Sequence, residues 1–222
     1  MNIRKIIVIA IFSAIYAIVS LLPGFQVIGI PGVDIRISRT LDIIYGIILG
    51  PLFGSLASFI GAIIGRIITG GGIGLLFTPL SIVSSFISGI TYVKEKGWII
   101  SSIIFSIIIT SWYIGPGKEI PFYAIPHIIG LLILIILGYR IRSLINSKNN
   151  KNTLLGLILI SYSSTMAGHM VGNMIFLVLI NPPPIFFMTT LPLTIFERIT
   201  ITLISALIGL PLIRVINKLI KL

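Results

Sequence analysis

Apolar runs follow one another along nearly all of the 222 residues, separated only by short clusters rich in Lys, Arg, Gly, Pro and Asn. With 56% hydrophobic and 9% charged residues, the chain has too little polar surface to solvate a globule. Lipid offers the backbone no hydrogen bonds, so runs of this kind must fold as helices that satisfy their own N–H and C=O groups. The chain therefore reads as an all-α integral membrane protein, a polytopic helical bundle in a single membrane domain, 1–222. Expected spans are 6–22, 40–49, 51–69, 74–93, 98–112, 120–138, 153–180 and 191–216. The second is short for a span of about 20 residues. It stops at Gly50-Pro51, where a proline opening the next helix needs no N–H donor. The first run follows Arg4 and Lys5 and ends at Leu22-Pro23-Gly24 without a small-x-small cleavage pattern, so it is expected to be a retained helix rather than a signal peptide.

The net charge of +11 sits in clusters between apolar runs rather than along one solvated face, which speaks for topology and against nucleic acid as a partner. About eight crossings that start with Arg4 and Lys5 inside bring Lys94 and Lys96, then Arg140, Arg142, Lys148 and Lys151, then Arg214, Lys218 and Lys221 to that same side. Both termini are then cytoplasmic and the plasma membrane is the expected location. Loops 23–39, 69–73, 113–119 and 181–190 fall outside, where a solute would be met.

The stretch 41–66 carries Gly46, Gly50, Gly54, Gly61 and Gly65 around Pro51. Small residues three or four apart leave a bare stripe on a helix and let a second backbone approach closely, so a tightly packed membrane hairpin is expected. Ionisable residues within or beside spans are expensive and by default functional. The topology maps Arg36, Arg39, Asp42, Arg66, His169, Asn173, Glu197 and Arg198 to the outer half. Gathered there, they would form a mixed-charge site able to hold an anionic or zwitterionic solute through charge-assisted hydrogen bonds. The competing reading is salt bridging between helices. Phe25, Gln26, Trp112, Tyr113, Phe186 and Phe187 are available to stack on a ring, although anchoring at the headgroups explains them as well.

Much chemistry is excluded. There is no cysteine, no Walker cradle for ATP and no G-x-S-x-G elbow. The acidic residues Asp34, Asp42, Glu95, Glu119 and Glu197 are scattered. Two histidines, His127 and His169, without HExxH make no metal site, so catalytic residues, metal and cofactor are all expected to be none. Gly70-Gly71-Gly72-Ile73-Gly74 reads as a turn between spans, not as a dinucleotide site.

The segment from Gly46 through Gly50-Pro51 and Gly54 to Leu56 resembles the GxxxGPxxGxxxG-type hairpin of the substrate-binding membrane subunits (S components) of energy-coupling factor (ECF) transporters. Ala10-x-x-x-Ala14 in the first helix is similar to a second motif of that family, and Leu191-Pro192-Leu193 through Glu197-Arg198 is similar to its last loop and helix. The resemblance implies a six-helix core, here 6–97 and 150–222; the eight expected spans depart from it, so that either 98–146 is an inserted helix pair or one span is re-entrant. It further implies that the Ala10 and Ala14 face docks on an ECF transmembrane coupling subunit served by two ATPases. The chain would then capture a vitamin-like micronutrient from outside, with loop 23–39 closing over it, and would itself catalyse nothing. Two rivals remain: a stand-alone secondary carrier, which would need midplane ion ligands and an internal repeat, and an intramembrane enzyme using His169, Asn173 or Glu197.

Overall fold

The computed structural model describes residues 3–22, 24–26, 34–115 and 117–219, with the backbone alone at 25–26, 34–35 and 216–219. Seven α-helices make up the bundle: α1 (Ile3–Val19), α2 (Thr40–Ile68), α3 (Pro79–Val93), α4 (Gly97–Ile114), α5 (Ile125–Ile145), α6 (Asn150–Ile180) and α7 (Pro184–Leu219). Short 3-10 turns lead into α2, α3 and α5, and the link between α1 and α2 holds a two-residue antiparallel ribbon that pairs 25–26 with 34–35. Among the described residues, six helical stretches are long and apolar enough to cross a membrane, fewer than the eight spans expected. Two expected spans account for the difference. Helix α1 has 17 residues, just short of a full crossing, and the expected second and third spans run together as α2.

Helix α2 is broken at Gly50, whose φ of 80° and ψ of 174° lie outside any helix and in a region open to glycine alone. Pro51 then restarts the helix where no N–H is missed. The break reverses the chain. A Cβ placed on Gly54 would sit 2.5 Å from the carbonyl oxygen of Tyr45 and 2.8 Å from Cα of Gly46. In an unbroken helix those residues would be about 13 Å apart along the axis. Limbs 40–49 and 51–68 are therefore antiparallel, as the glycine pattern led us to expect.

Neighbouring helices confirm the direction of each limb. Ser13 bonds the carbonyl of Ala57 at 3.1 Å, while Tyr16 meets Gly61 and Ser20 meets Gly65, a constant offset that makes α1 parallel to limb 51–68. Helix α3 follows the hairpin closely: Cβ atoms on Gly46 and Gly89 would lie 2.1 Å from the carbonyl oxygen of Ser85 and 2.6 Å from the nitrogen of Pro51. Hydroxyl-to-carbonyl bonds fasten it there, from Ser88 to Ile43 at 3.1 Å and from Ser55 to Ile82 at 3.0 Å. The opposite face of α3 receives α6, with Gly168 against Ser84 and Gly172 against Leu80.

The remaining helices continue the alternation. Gly97 packs on Ile90, Gly138 on Trp98, Gly130 on Met166 and Phe105, and Gly156 on Ile145. Helix α7 returns along the bundle, with Ser205 bonding the carbonyl of Thr40 and Arg214 bonding the carbonyls of Ser147 and Lys148 together with Asn150 and Thr153. The Gly50-Pro51 turn, Lys5 over the Phe53 ring, and the turns at 94–97 and 146–150 thus share one end with Arg214. Isoleucine and leucine cover the outside, among them Ile107, Ile136 and Leu207, as lipid contact requires.

One boundary departs from expectation. Residues 184–190, read as loop, are the first two turns of α7, because Asn181 ends α6 in the left-handed conformation and Pro184 opens the next helix. Pro192, inside the expected span 191–216, lies within that helix. The tightest contacts carry a direct expectation. Gly46→Leu would overpack the α2–α3 seam by about 3 kcal/mol or more and should abolish a monodisperse peak in detergent chromatography. Gly209→Ala, whose Cβ would meet only side-chain carbons at 3.4 Å, should run as the unmodified chain does.

Candidate solute-binding site

A cavity of about 120 Å³ opens at the end of the bundle opposite the Gly50-Pro51 turn. The start of limb 40–49, the end of limb 51–68, the approach to α3, the later half of α6 and the first half of α7 enclose it. Of the residues expected in a site, Arg39, Arg66, His169, Asn173, Glu197 and Arg198 line this cavity. Arg36 and Asp42 do not. Arg36 donates to the carbonyl of Ser20 and lines a small neighbouring cleft with Ser38 and Arg66. Asp42, 1% exposed, lies behind Arg39 as its counter-ion at 3.7 Å.

The cationic side is assembled from three elements. Arg39 sits just before α2, with Nη1 donating to Ser81 Oγ at 2.6 Å and Nη2 to the carbonyl of Phe77 at 2.8 Å. Arg66 ends limb 51–68 and lies against Gly74, where any Cβ would come within 2.8 Å of its Nη1. Arg198 comes from α7, donates to Thr165 Oγ1 at 3.0 Å and pairs with Glu197, while its Nε is buried without a partner. A guanidinium has only donors, so this side of the cavity asks its occupant for acceptors.

The neutral side is a hydrogen-bonded chain. The Tyr123 hydroxyl donates to Asn173 Oδ1 at 3.4 Å and shares a contact of 3.4 Å with Thr194. Asn173 Nδ2 lies 3.3 Å from Nδ1 of His169, and His127 Nε2 lies 3.0 Å from the same atom. The two imidazoles are parallel to within 3°. Aromatic rings complete the wall: Phe77, Tyr123, Phe176, Phe186 and Phe187 all line the cavity. Phe176 and Phe186 are 5.4 Å apart, and Tyr123 meets Phe187 edge-on at 5.0 Å. Of the aromatic side chains expected to stack, Phe186 and Phe187 reach the cavity. Trp112 is fully buried behind Tyr123 and Phe187, and Tyr113 bonds the carbonyl of Pro121. The side chains of Phe25 and Gln26 lie outside the described residues. Among the described residues no three His, Cys, Asp or Glu side chains come together as metal ligands.

Residues 4–124, more than half of the chain, match the model of the family described as ECF transporter, substrate-specific component. The chain belongs to that family. The matched part of this S component runs from α1 to the turn before α5 and includes the hairpin, Arg39, Arg66 and Tyr123. The S component is also similar to an uncharacterized protein of Methanocaldococcus jannaschii, 29% identical over 189 residues that cover 82% of this chain. It spans 61% of the length of that relative. No solved structure matches it.

Sequence reasoning missed Tyr123, His127, Thr165, Ser81, Phe77 and Phe176. A hydroxyl in the middle of an apolar run, as at Ser81 and Thr165, was the available signal for a buried partner. Arg39 lines the cavity, and Asp42 neutralises it from behind. Asp42→Ala leaves the Arg39 charge without its counter-ion and should destabilise the fold by about 3 kcal/mol, read as a lowered Tm in detergent. Adding Arg39→Met should recover most of that loss.

Proposed function

We propose that this S component captures a small vitamin-like micronutrient, anionic or zwitterionic, from outside the cell and delivers it through an ATP-driven ECF transporter. The observation that carries the reading is the cavity lined by Arg39, Arg66 and Arg198 at the end of the bundle away from Lys5 and Arg214. Basic loops favour the cytoplasm, so the clusters at 94–96, 140–151 and 214 support cytoplasmic termini and an outward-facing cavity. The eight limbs alternate in direction, with the two limbs of α2 as the second and third crossings. Helices α4 and α5 are then a pair added to a six-limb core, and the cavity draws its lining from that core plus Tyr123.

Docking is assigned to the outer face of α1. Ala10 and Ala14 are exposed there between Ile7, Ile11, Ile15 and Ile18, whereas Ser13, Tyr16 and Ala17 face the bundle. A bare stripe in an apolar face lets a partner helix approach closely, which suits a membrane coupling subunit with two ATPases behind it. The S component supplies selectivity, and the ATPases supply power.

Mild-detergent affinity purification from the native membrane, with mass spectrometry of proteins and released metabolites, is the direct test. Two ATPases with a second membrane subunit in the eluate would support the assignment. A single protein without ligand would count against it. Ala14→Trp should retain the ligand yet abolish ATP-dependent uptake, and normal uptake would remove the docking face. Arg66→Glu should weaken ligand binding by at least about tenfold, the scale of one charged hydrogen bond.

A further inference from the structure

We infer that an open groove along the lipid-facing side of α4 binds an anionic phospholipid, one acyl chain lying over Ser102, Ser106 and Thr110 and the phosphate held by Lys94, Lys96 and Arg140. No residue of α4 lines the solute cavity, so this site stands apart from the capture function.

The groove has a volume of about 550 Å³ and runs from Trp98 to Ile114. Residues four apart form rows on a helix surface, and here the row Ser102, Ser106, Thr110 lies beside the row Ile99, Ile103, Ile107. Short side chains in the first row and exposed isoleucines in the second leave a trough. At 1.5 Å per residue the trough is about 24 Å long. One leaflet of hydrocarbon is about 15 Å deep, so an acyl chain that enters at one end lies in the trough throughout. The hydroxyls do little to make it polar. Ser102 donates to the carbonyl of Trp98 and Ser111 to that of Ile107, both at 2.8 Å, which turns their protons back onto the helix.

Charge selects the headgroup. Lys94 and Lys96 immediately precede α4, and both are exposed. Trp98, at the same end of the groove, packs on Gly138, where an added Cβ would lie 2.7 Å from that of Trp98. This contact brings Arg140 of α5 to the level of the lysines. The Arg140 guanidinium stands 5.2 Å over the exposed Tyr139 ring, and Tyr92, just before Lys94, bonds Asn146 beyond the end of α5 at 2.9 Å. Three cations thus gather at one mouth against the single carboxylate of Glu95, with Trp98 and Tyr139 at the level where amphipathic rings favour the headgroups. Each such cation draws anionic lipid by about fivefold in affinity. A second copy of the chain seated on this face in the same orientation would bring its own cations against these, whereas an anionic lipid neutralises them.

The test is fluorescence quenching of the full chain in phosphatidylcholine vesicles, a minor fraction of whose lipid carries brominated acyl chains on either phosphatidylglycerol or phosphatidylcholine. Of the two tryptophans, Trp112 is fully buried and gives a constant background, so quenching reports on Trp98 at the mouth of the groove. Phosphatidylglycerol should be preferred over phosphatidylcholine by at least about fivefold. In the triple variant Lys94→Gln, Lys96→Gln, Arg140→Gln the preference should fall to about one. Ser106→Phe, about 12 Å along the groove from Trp98, keeps every cation but blocks the chain, and the preference should fall to about one there as well. Both variants are checked for an unchanged elution volume, and the glutamine variant, altered only at exposed positions, carries the test whatever Ser106→Phe does to folding. A preference that survives in a folded Ser106→Phe chain is headgroup attraction without a groove and would overturn the inference. Equal quenching by both lipids in the unmodified chain would overturn it, and so would quenching by neither, the result expected where a second copy covers α4.

Discussion

Backbone contact at Gly46 is the constraint on which the rest of the bundle depends. Three segments meet there: Gly54 on the returning limb, and Ser85 and Gly89 on α3, all at distances that leave no room for a methyl group. Lipid gives helices no hydrophobic reason to associate, so close packing and hydrogen bonds must hold them. The seam supplies both, since Ser88 and Ser55 reach across it to carbonyls of neighbouring limbs. Once limbs 40–49 and 51–68 are folded back on each other, Arg39 at the start of one and Arg66 at the end of the other must emerge at the same end of the molecule. The cavity's cationic side is a geometric consequence of the turn at its far end.

Burying that much charge within a membrane domain requires partners, and they come from helices remote in sequence. Arg39 is met by Ser81 and Phe77 from the approach to α3 and its first turn, and Arg198 by Thr165 from α6. These bonds knit α2, α3, α6 and α7 together around the cavity. Side chains that line the cavity therefore also hold the fold together.

The sequence made the membrane class, the hairpin and much of the cationic side of the cavity legible, because each leaves a local mark: apolar length, glycine spacing around a proline, an arginine where arginine is costly. Arg36, before the 3-10 turn, and Asp42, in the first turn of α2, lie off the cavity lining because they reach Ser20 and Arg39 instead, a direction that the spacing of residues does not encode. His127 was read only as one of two histidines that make no metal site, and its bond to His169 depends on α5 and α6 packing at Gly130. The early start of α7 was hidden by its prolines, which mark loops in water more reliably than in a bundle whose neighbours satisfy the freed carbonyls.

Helix α1 is held by polar rungs: Ser13 to the carbonyl of Ala57, the Tyr45 hydroxyl to the carbonyl of Phe12, and Tyr16 to Ser81. Each rung would be lost to hydrocarbon if α1 moved away, with no water to replace it. Peeling α1 from its neighbours is therefore an expensive motion in a bilayer. Tyr16, Ser81 and Arg39 link the inner face of α1 to the cavity by a continuous chain of hydrogen bonds, so the helix and the cavity wall are one packed unit.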